Sequence, residues 1–453
     1  MFWFEIYLFF VQISDGVYPH YEDPIGGEQN PFHDSYESNG LASTPLVAWN
    51  LTNLLLSTSL LAFPFVVYQA GYITLPLTFL VALTLSYTSR ILVDMMYEEV
   101  PSMNNHKLRV RKHVTDLGRE VFDSENGAKF VQMIQIIEML CICILNICVL
   151  GQLGHEITKY NVQICTAIAA LFAFPTFFIR KLAVIGWLQT IGVVSLTIGI
   201  VLIQGWCLAH VGKFKIENIP LVQWHKLPVA IGVMVYAFGI HGVLPGMEEQ
   251  MRKPKQFGCV ITWTFGISIV MQCFFSVTNA MYYGDKTAQV IVIDMNDHFE
   301  LGITSACFIG ISILSHFSLP TLVVMESLDN SIIKISSCCS SSQQIVHTVM
   351  MVLLRIGIIA LCLGLALLLP YFAYLMAFIG SSITLTMCAI LPCSFHLKLR
   401  YHSLKLYEIC LDVLIIICSV VCFGAGSYFS FESIYYDWTN GSYNWLSCIY
   451  YCI

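Results

Sequence analysis

Trp49-Asn-Leu-Thr-Asn-Leu-Leu-Leu-Ser-Thr-Ser-Leu-Leu-Ala-Phe-Pro64 and Val235-Tyr-Ala-Phe-Gly-Ile-His-Gly-Val-Leu-Pro-Gly246 are the two stretches whose reading decides the fold class of this chain. Each is apolar on average, yet each carries a weak polar or glycine-rich middle. Each belongs to a segment that opens at a proline (Pro45, Pro228) and meets a second (Pro64, Pro245) about five turns later. Proline removes a backbone donor and clashes with the preceding turn. Inside a bilayer, freed backbone groups persist only where they line a cavity or are covered by protein. Both stretches therefore read as interrupted membrane helices.

The rest of the chain fits that solvent. Of its 453 residues, 57% are hydrophobic and 11% charged, with a mean hydropathy of +0.72. Soluble domains carry about 25% charged residues. Apolar runs long enough for about 30 Å of hydrocarbon recur throughout. Eleven are expected, near 46–68, 73–97, 129–152, 162–179, 184–210, 228–250, 259–283, 300–325, 346–369, 373–397 and 407–429. None shows the alternation of a barrel strand, so the fold class is an all-α membrane protein. The net charge of −7 is thinly spread and makes no basic stripe, which argues against a nucleic-acid partner.

Loop charge orients the chain. With the N-terminus cytoplasmic, sixteen Lys and Arg fall in cytoplasmic loops, Arg109, Arg111, Arg252, Lys253 and Arg400 among them; five (Lys159, Lys213, Lys215, Lys226, Lys286) fall opposite. That bias sets the N-terminus inside and the C-terminus outside or lumenal. Residues 1–45 read as a polar, disordered cytoplasmic tail. Within it, Met1 to Ile13 is apolar but too short to span and lacks the positive start of a secretory signal. Residues 46–430 form the transmembrane domain, and 431–453 a short lumenal tail with a glycosylation sequon at Asn440.

The two interrupted helices stand first in helices 1–5 and first in helices 6–10. A five-helix repeat inverts its copy across the membrane, and paired broken helices in inverted halves point to a transport site near the midplane. Half-helix N-termini there can hold a carboxylate through free N–H groups and the helix dipole. Neither a phosphate-binding glycine loop with lysine nor a His-Glu-x-x-His zinc spacing occurs, so the chain reads as neither an enzyme nor an ATP-driven pump, with no cofactor. Most of the 18 cysteines lie in apolar segments and read as small hydrophobes. Cys338 and Cys339 form a weak palmitoylation match.

These segments resemble the amino acid/auxin permease family, over about Val47 to Ile434. The residues that carry the resemblance are Trp49-Asn-Leu-Thr-Asn53 with Pro64, Gln69-Ala-Gly-Tyr72, Gln135-Ile-Ile-Glu138 and Leu244-Pro-Gly-Met-Glu248 with Met251, Pro254 and Phe257. Leu375-Met-Ala-Phe-Ile-Gly-Ser381, Leu391-Pro and Phe395-His-Leu397 belong with them. The Gln-Ile-Ile-Glu run and the Phe-His-Leu ending favour the branch of vesicular inhibitory amino acid (GABA and glycine) transporters. The resemblance implies the five-plus-five inverted-repeat permease fold plus an eleventh helix. It also implies loading of a small zwitterion into vesicles, driven by lumenal protons or the membrane potential, with chloride or sodium as further candidate ions. A departure is Ser57 and Ala62, where the family usually has glycines in the broken part of helix 1. A proton- or sodium-coupled permease of the plasma or lysosomal membrane is the alternative. A third is an amino acid sensor with little flux.

Asn53, at the expected unwinding of helix 1, joins Ser57, Thr58 and Ser59 as candidate carboxylate donors, or as hydroxyls bonded back to their own helix. Tyr236, Phe238, Gly239 and His241 surround the expected break of helix 6 and are substrate-lining candidates. His241 is also a proton-coupling candidate, because an imidazole's unperturbed pKa of about 6.5 lies between cytosolic and acidic-vesicle pH. Glu138 is the sharpest ionisable residue: a mid-membrane carboxylate costs about 3 kcal/mol on insertion scales. That makes it the leading proton-coupling candidate, with Arg355 a possible partner. His316 is weaker, and Glu248 and Glu326 suit gating or structural pairing. Tyr401-His-Ser-Leu404 fits a tyrosine sorting signal, a pattern that chance often produces.

Overall fold

The computed structural model describes residues 42–100, 106–179, 182–293, 299–336 and 343–439. Met1 to Ile13, Cys338, Cys339 and Asn440 lie outside the described residues.

The first broken helix is α1 (Thr44–Leu60) followed by α2 (Phe63–Ala70), bent by 53°. Proline sits in the first turn of each piece, where its missing N–H costs nothing. The interruption is at Leu61–Ala62. Asn53 therefore lies inside continuous helix, about two turns before the break, and not in the unwound stretch expected for it. The carbonyl freed at Leu61 accepts the Ile291 N–H at 3.1 Å, from a segment in which Val290, Ile291 and Val292 are all buried.

Next come α3 (Thr74–Asp94), α4 (Val114–Val121), α5 (Glu125–Thr158), α6 (Val162–Ala173, prolonged by a tightened turn to Phe178) and α7 (Leu182–Ala209). The second broken helix is α8 (Leu227–Ala237) and α9 (Leu244–Glu249), separated by six non-helical residues, Phe238–Val243. Then follow α10 (Phe257–Tyr283), α11 (Phe299–His316), α12 (Ser318–Ser336) and α13 (Gln343–Leu368). The chain continues through α14 (Phe372–Ile379), two π-type turns (Gly380–Thr384 and Thr386–Ile390), α15 (Leu391–Arg400) and α16 (Leu406–Thr439).

Among the described residues, eight helices are long and apolar enough to cross a membrane, or nine with the bent α1–α2 pair. The other two expected spans appear as the short apolar segment Val162–Phe178 and the split α8–α9. Across the spans, large apolar side chains face outward where lipid would lie, as at Phe79, Leu80, Leu171, Trp187 and Val421.

No strand was expected, yet β1 (Tyr97–Val100) and β2 (His106–Arg109) form an antiparallel hairpin between α3 and α4, with Tyr97 opposite Arg109. Strands of four residues in a charged loop are too short to show an alternating pattern.

Helix contact in the core depends on small residues and amide side chains, as expected where water drives nothing. A Cβ on Gly380 would sit 1.9 Å from the Gly232 carbonyl oxygen, and one on Gly232 would sit 2.3 Å from that of Ala377. The backbones of α8 and α14 therefore touch. Gln272 Nε2 donates to the Leu55 carbonyl at 2.9 Å and ties α10 to α1.

Gly380→Ala should lower stability by about 1–3 kcal/mol, the usual cost of overpacking. Thermal unfolding of the detergent-purified chain measures it, with Gly186→Ala, a helical glycine whose Cβ meets nothing within 4 Å, as the clash-free control.

Candidate functional site

The six-residue break of the second broken helix strands several backbone groups, and α5 supplies what meets them. Gln135 Nε2 donates to the Gly242 carbonyl at 2.7 Å. One turn further along the same face stands Glu138, 1% exposed. A Cβ on Gly242 would lie 3.2 Å from Glu138 Oε2 and 2.7 Å from Met139 Cε. Glycine at this position is what lets the carboxyl reach the break. Among the described residues, neither Glu138 oxygen has a hydrogen-bond partner. The Thr384 hydroxyl, on the first π-type turn, faces it without completing a bond. Thr384 also fills the other side of the break: its methyl would lie 2.2 Å from a Cβ on Gly239. Such π-type turns within α-helices recur at functional sites.

His241 is fully buried within the break. Its Nε2 lies 2.9 Å from Thr88 Oγ1 and 3.2 Å from Ser89 Oγ, both on α3, and its Nδ1 has no partner among the described residues. The imidazole is thus held from one side and buried without a partner at the other. Phe238 stacks on Phe265 of α10 with ring centroids 5.7 Å apart, which anchors the end of α8 to its neighbour. Tyr236 is half-buried, its Cβ beside Gly380.

The candidates on α1 gather elsewhere. Thr58 donates to Asn146 Oδ1 of α5 at 2.8 Å, while Asn146 Nδ2 is unpaired. Ser59 bonds back to the Leu55 carbonyl at 2.8 Å, the local bond weighed against its carboxylate role. Asn53 Nδ2 reaches Gln189 Oε1 at 3.3 Å. Gln189 in turn donates to the Ser315 carbonyl at 3.0 Å and Ser318 Oγ at 2.9 Å, at the junction of α11 and α12. Ser57 lies on α1, and its side chain is outside the described residues. Asn146 stands eight residues beyond Glu138 on α5, about 12 Å along the axis. The polar candidates therefore form two groups strung along α5, one at the break of α8–α9 and one along α1.

Arg355 belongs to neither. Its Nε donates to the Phe177 carbonyl at 2.9 Å, its Nη1 to Met351 at 3.1 Å, and its guanidinium lies 5.4 Å from the Phe178 ring. The suggested pairing with Glu138 does not form, because Glu138 has no hydrogen-bond partner. His316 is buried with Nε2 unpaired beside the α11–α12 junction. Sequence reasoning passed over Gln135 as a ligand of the break, and over Asn146, Gln189, Gln272 and Thr384. The four amides among these carried a readable signal, since an amide inside an apolar helix needs a partner.

Gln135→Leu leaves the Gly242 carbonyl unpaired in a dry site, at about 1–3 kcal/mol. Thermal unfolding should register that loss, and initial uptake rates should fall with it; unchanged values would show that the break is held by other contacts.

Comparison with known proteins agrees with this architecture. The transmembrane amino acid transporter protein family matches residues 41–432. A vesicular inhibitory amino acid transporter of Xenopus tropicalis is 25% identical over 85% of this chain and 76% of its own. A vesicular GABA transporter of Caenorhabditis elegans is 24% identical over 87% and 81%. Among solved structures, a substrate-bound, outward-open Na+-coupled sialic acid symporter superposes with a TM-score of 0.52 at 13% identity, covering 88% of this chain and 91% of that one. That likeness is one of fold, and the fold is the expected five-plus-five permease architecture. The chain belongs to the transmembrane amino acid transporter family.

Proposed function

We propose that this chain loads a small neutral amino acid of the GABA or glycine class into an acidified vesicle, in exchange for lumenal protons, with the N-terminus cytoplasmic and the C-terminus lumenal. The observation that carries the reading is Glu138: a carboxyl fully buried at the break of α8–α9 with neither oxygen paired. Leaving a buried carboxylate unpaired is costly. A site that keeps one is suited to a group that takes up and gives off a proton, or that receives a substrate ammonium.

The second group, Thr58 and Asn146 with Asn53 nearby, offers an unpaired amide N–H suited to a carboxylate. Because the groups lie about 12 Å apart along α5, one small zwitterion does not bridge them in this conformation. In the proposed scheme α5 couples two sites, with substrate carboxylate held near α1 and proton traffic at Glu138 and His241. The names of the two relatives support the substrate class.

The test uses proteoliposomes with an acidic, positive lumen and labelled GABA or glycine. Accumulation should collapse when the proton gradient is discharged. Glu138→Gln keeps the shape of the side chain, so accumulation should fall about tenfold or more while substrate exchange without a gradient continues. Accumulation that survives the substitution would return Glu138 to a structural role. Uptake that follows sodium and ignores protons would favour the sodium-coupled permease.

A further inference from the structure

The charged face of the molecule, which carries Arg109, Arg111, Lys112, Arg252, Lys253 and Arg400, holds the end of α9 from several sides. Glu248 is 1% exposed, and its Oε2 lies 2.7 Å from Arg109 Nη1, whose side chain is 3% exposed. The Tyr97 hydroxyl donates to the other oxygen. Arg109 Nη2 also donates to the Pro245 carbonyl, at 3.1 Å, so one guanidinium grips α9 by both side chain and backbone. A further, exposed carboxylate of α9, Glu249 Oε2, lies 3.9 Å from Nη2, and bonds to the Arg111 carbonyl at 3.2 Å and the Lys112 carbonyl at 3.1 Å fix the guanidinium to the segment leaving β2. Arg400, ending α15, donates to the Tyr97 carbonyl at 2.8 Å.

The two broken helices meet on this same face. Ala42 N–H donates to the Gln250 carbonyl at 2.8 Å, and Arg252 N–H donates to the Ala42 carbonyl at 3.0 Å. Thr44 Oγ1 donates to Gln256 Oε1 at 2.8 Å. The entry to α1 and the exit from α9 are therefore strapped together, and access to the breaks from this face requires them to part. Both side chains of the Arg109–Glu248 pair are nearly fully buried, whereas the Arg111 and Arg119 pairs of this face have exposed carboxylates or an exposed guanidinium. A buried pair is hard to break while dry, because each charge is left uncompensated. Hydration on opening compensates both. Such an element has two discrete states rather than a continuous range.

We propose that Arg109 and Glu248 are the latch of the charged face: paired, they position α9 and keep the face shut; parted, they let α9 move and open the breaks to that side. Both act as positioning residues, through α9. The proposal rests on the family's transport activity and not on which amino acid is carried.

Hydrogen–deuterium exchange of the full chain in lipid nanodiscs tests it without a substrate. In Arg109→Gln and in Glu248→Gln, amides of 42–50 and 250–256 should exchange about tenfold faster than in the wild type, as local opening demands. Amides of 215–223, where Tyr72 and Ile73 N–H groups bond the Pro220 and Leu221 carbonyls on the far side of α2, should not change. Exchanging the charges, Arg109→Glu with Glu248→Arg, should recover most of the protection. If a neutralised variant fails to insert, Tyr97→Phe should give a smaller rise at the same peptides. Unchanged exchange in the neutralised variants would overturn the latch. A rise of equal size on both faces would also overturn it, since that is the signature of a pair that only stabilises the fold.

Discussion

A helix that stops inside a membrane needs something to receive its loose backbone groups, and the Gln135 amide on the Gly242 carbonyl meets that need here. The bond fixes the height and rotation of α5 against the break of α8–α9. Glu138 is then placed by the helical repeat, one turn on, with Gly242 leaving room for its carboxyl. The other break is treated in the same way: the Leu61 carbonyl is met by the N–H of Ile291, in a short buried 3-10 turn. In both places the interruption survives because protein covers it, as the dry solvent requires.

From this constraint the rest of the site follows. Glycines at 239 and 242 admit Thr384 and Glu138 to the break, and glycines at 232 and 380 bring α8 and α14 into backbone contact. The first π-type turn after Ile379 carries Thr384, whose methyl packs against Gly239 of the break. α5 touches one break with Gln135 and Glu138 and meets α1 through Asn146, and in the proposed scheme it is the element that links proton and substrate. Movement of α9 about its break would alter the surroundings of Glu138 directly, which makes its anchoring on the charged face relevant to the site.

Much of this was legible in the residues themselves. Paired prolines around polar or glycine-rich middles located both broken helices, and the cost of a mid-membrane carboxylate singled out Glu138. Position within a broken helix was less legible. Proline marks the start of α2 at Phe63–Pro64, but the polar run from Asn53 to Ser59 stays helical because its side chains bond to Leu55, Asn146 and Gln189 rather than replacing backbone bonds. Arg355 looked like a partner for Glu138 because both are charges in apolar helices. Depth in sequence does not encode which neighbour a side chain meets, and Arg355 turns to the Phe177 carbonyl. The hairpin at 97–109 was hidden because its strands are short and its anchors, Tyr97 and Arg109, reach residues more than a hundred positions away.

The central claim is that the Glu138 carboxyl at the break is a working group that changes state during transport. Substrate-induced infrared difference spectroscopy of the reconstituted chain addresses that most directly, because a carboxyl that changes protonation or partner shifts its carbonyl band. A carboxyl band should appear in the wild-type difference spectrum, disappear in Glu138→Gln and change when the lumenal pH is lowered. A spectrum identical in wild type and Glu138→Gln would contradict it and leave Glu138 a structural residue of the break.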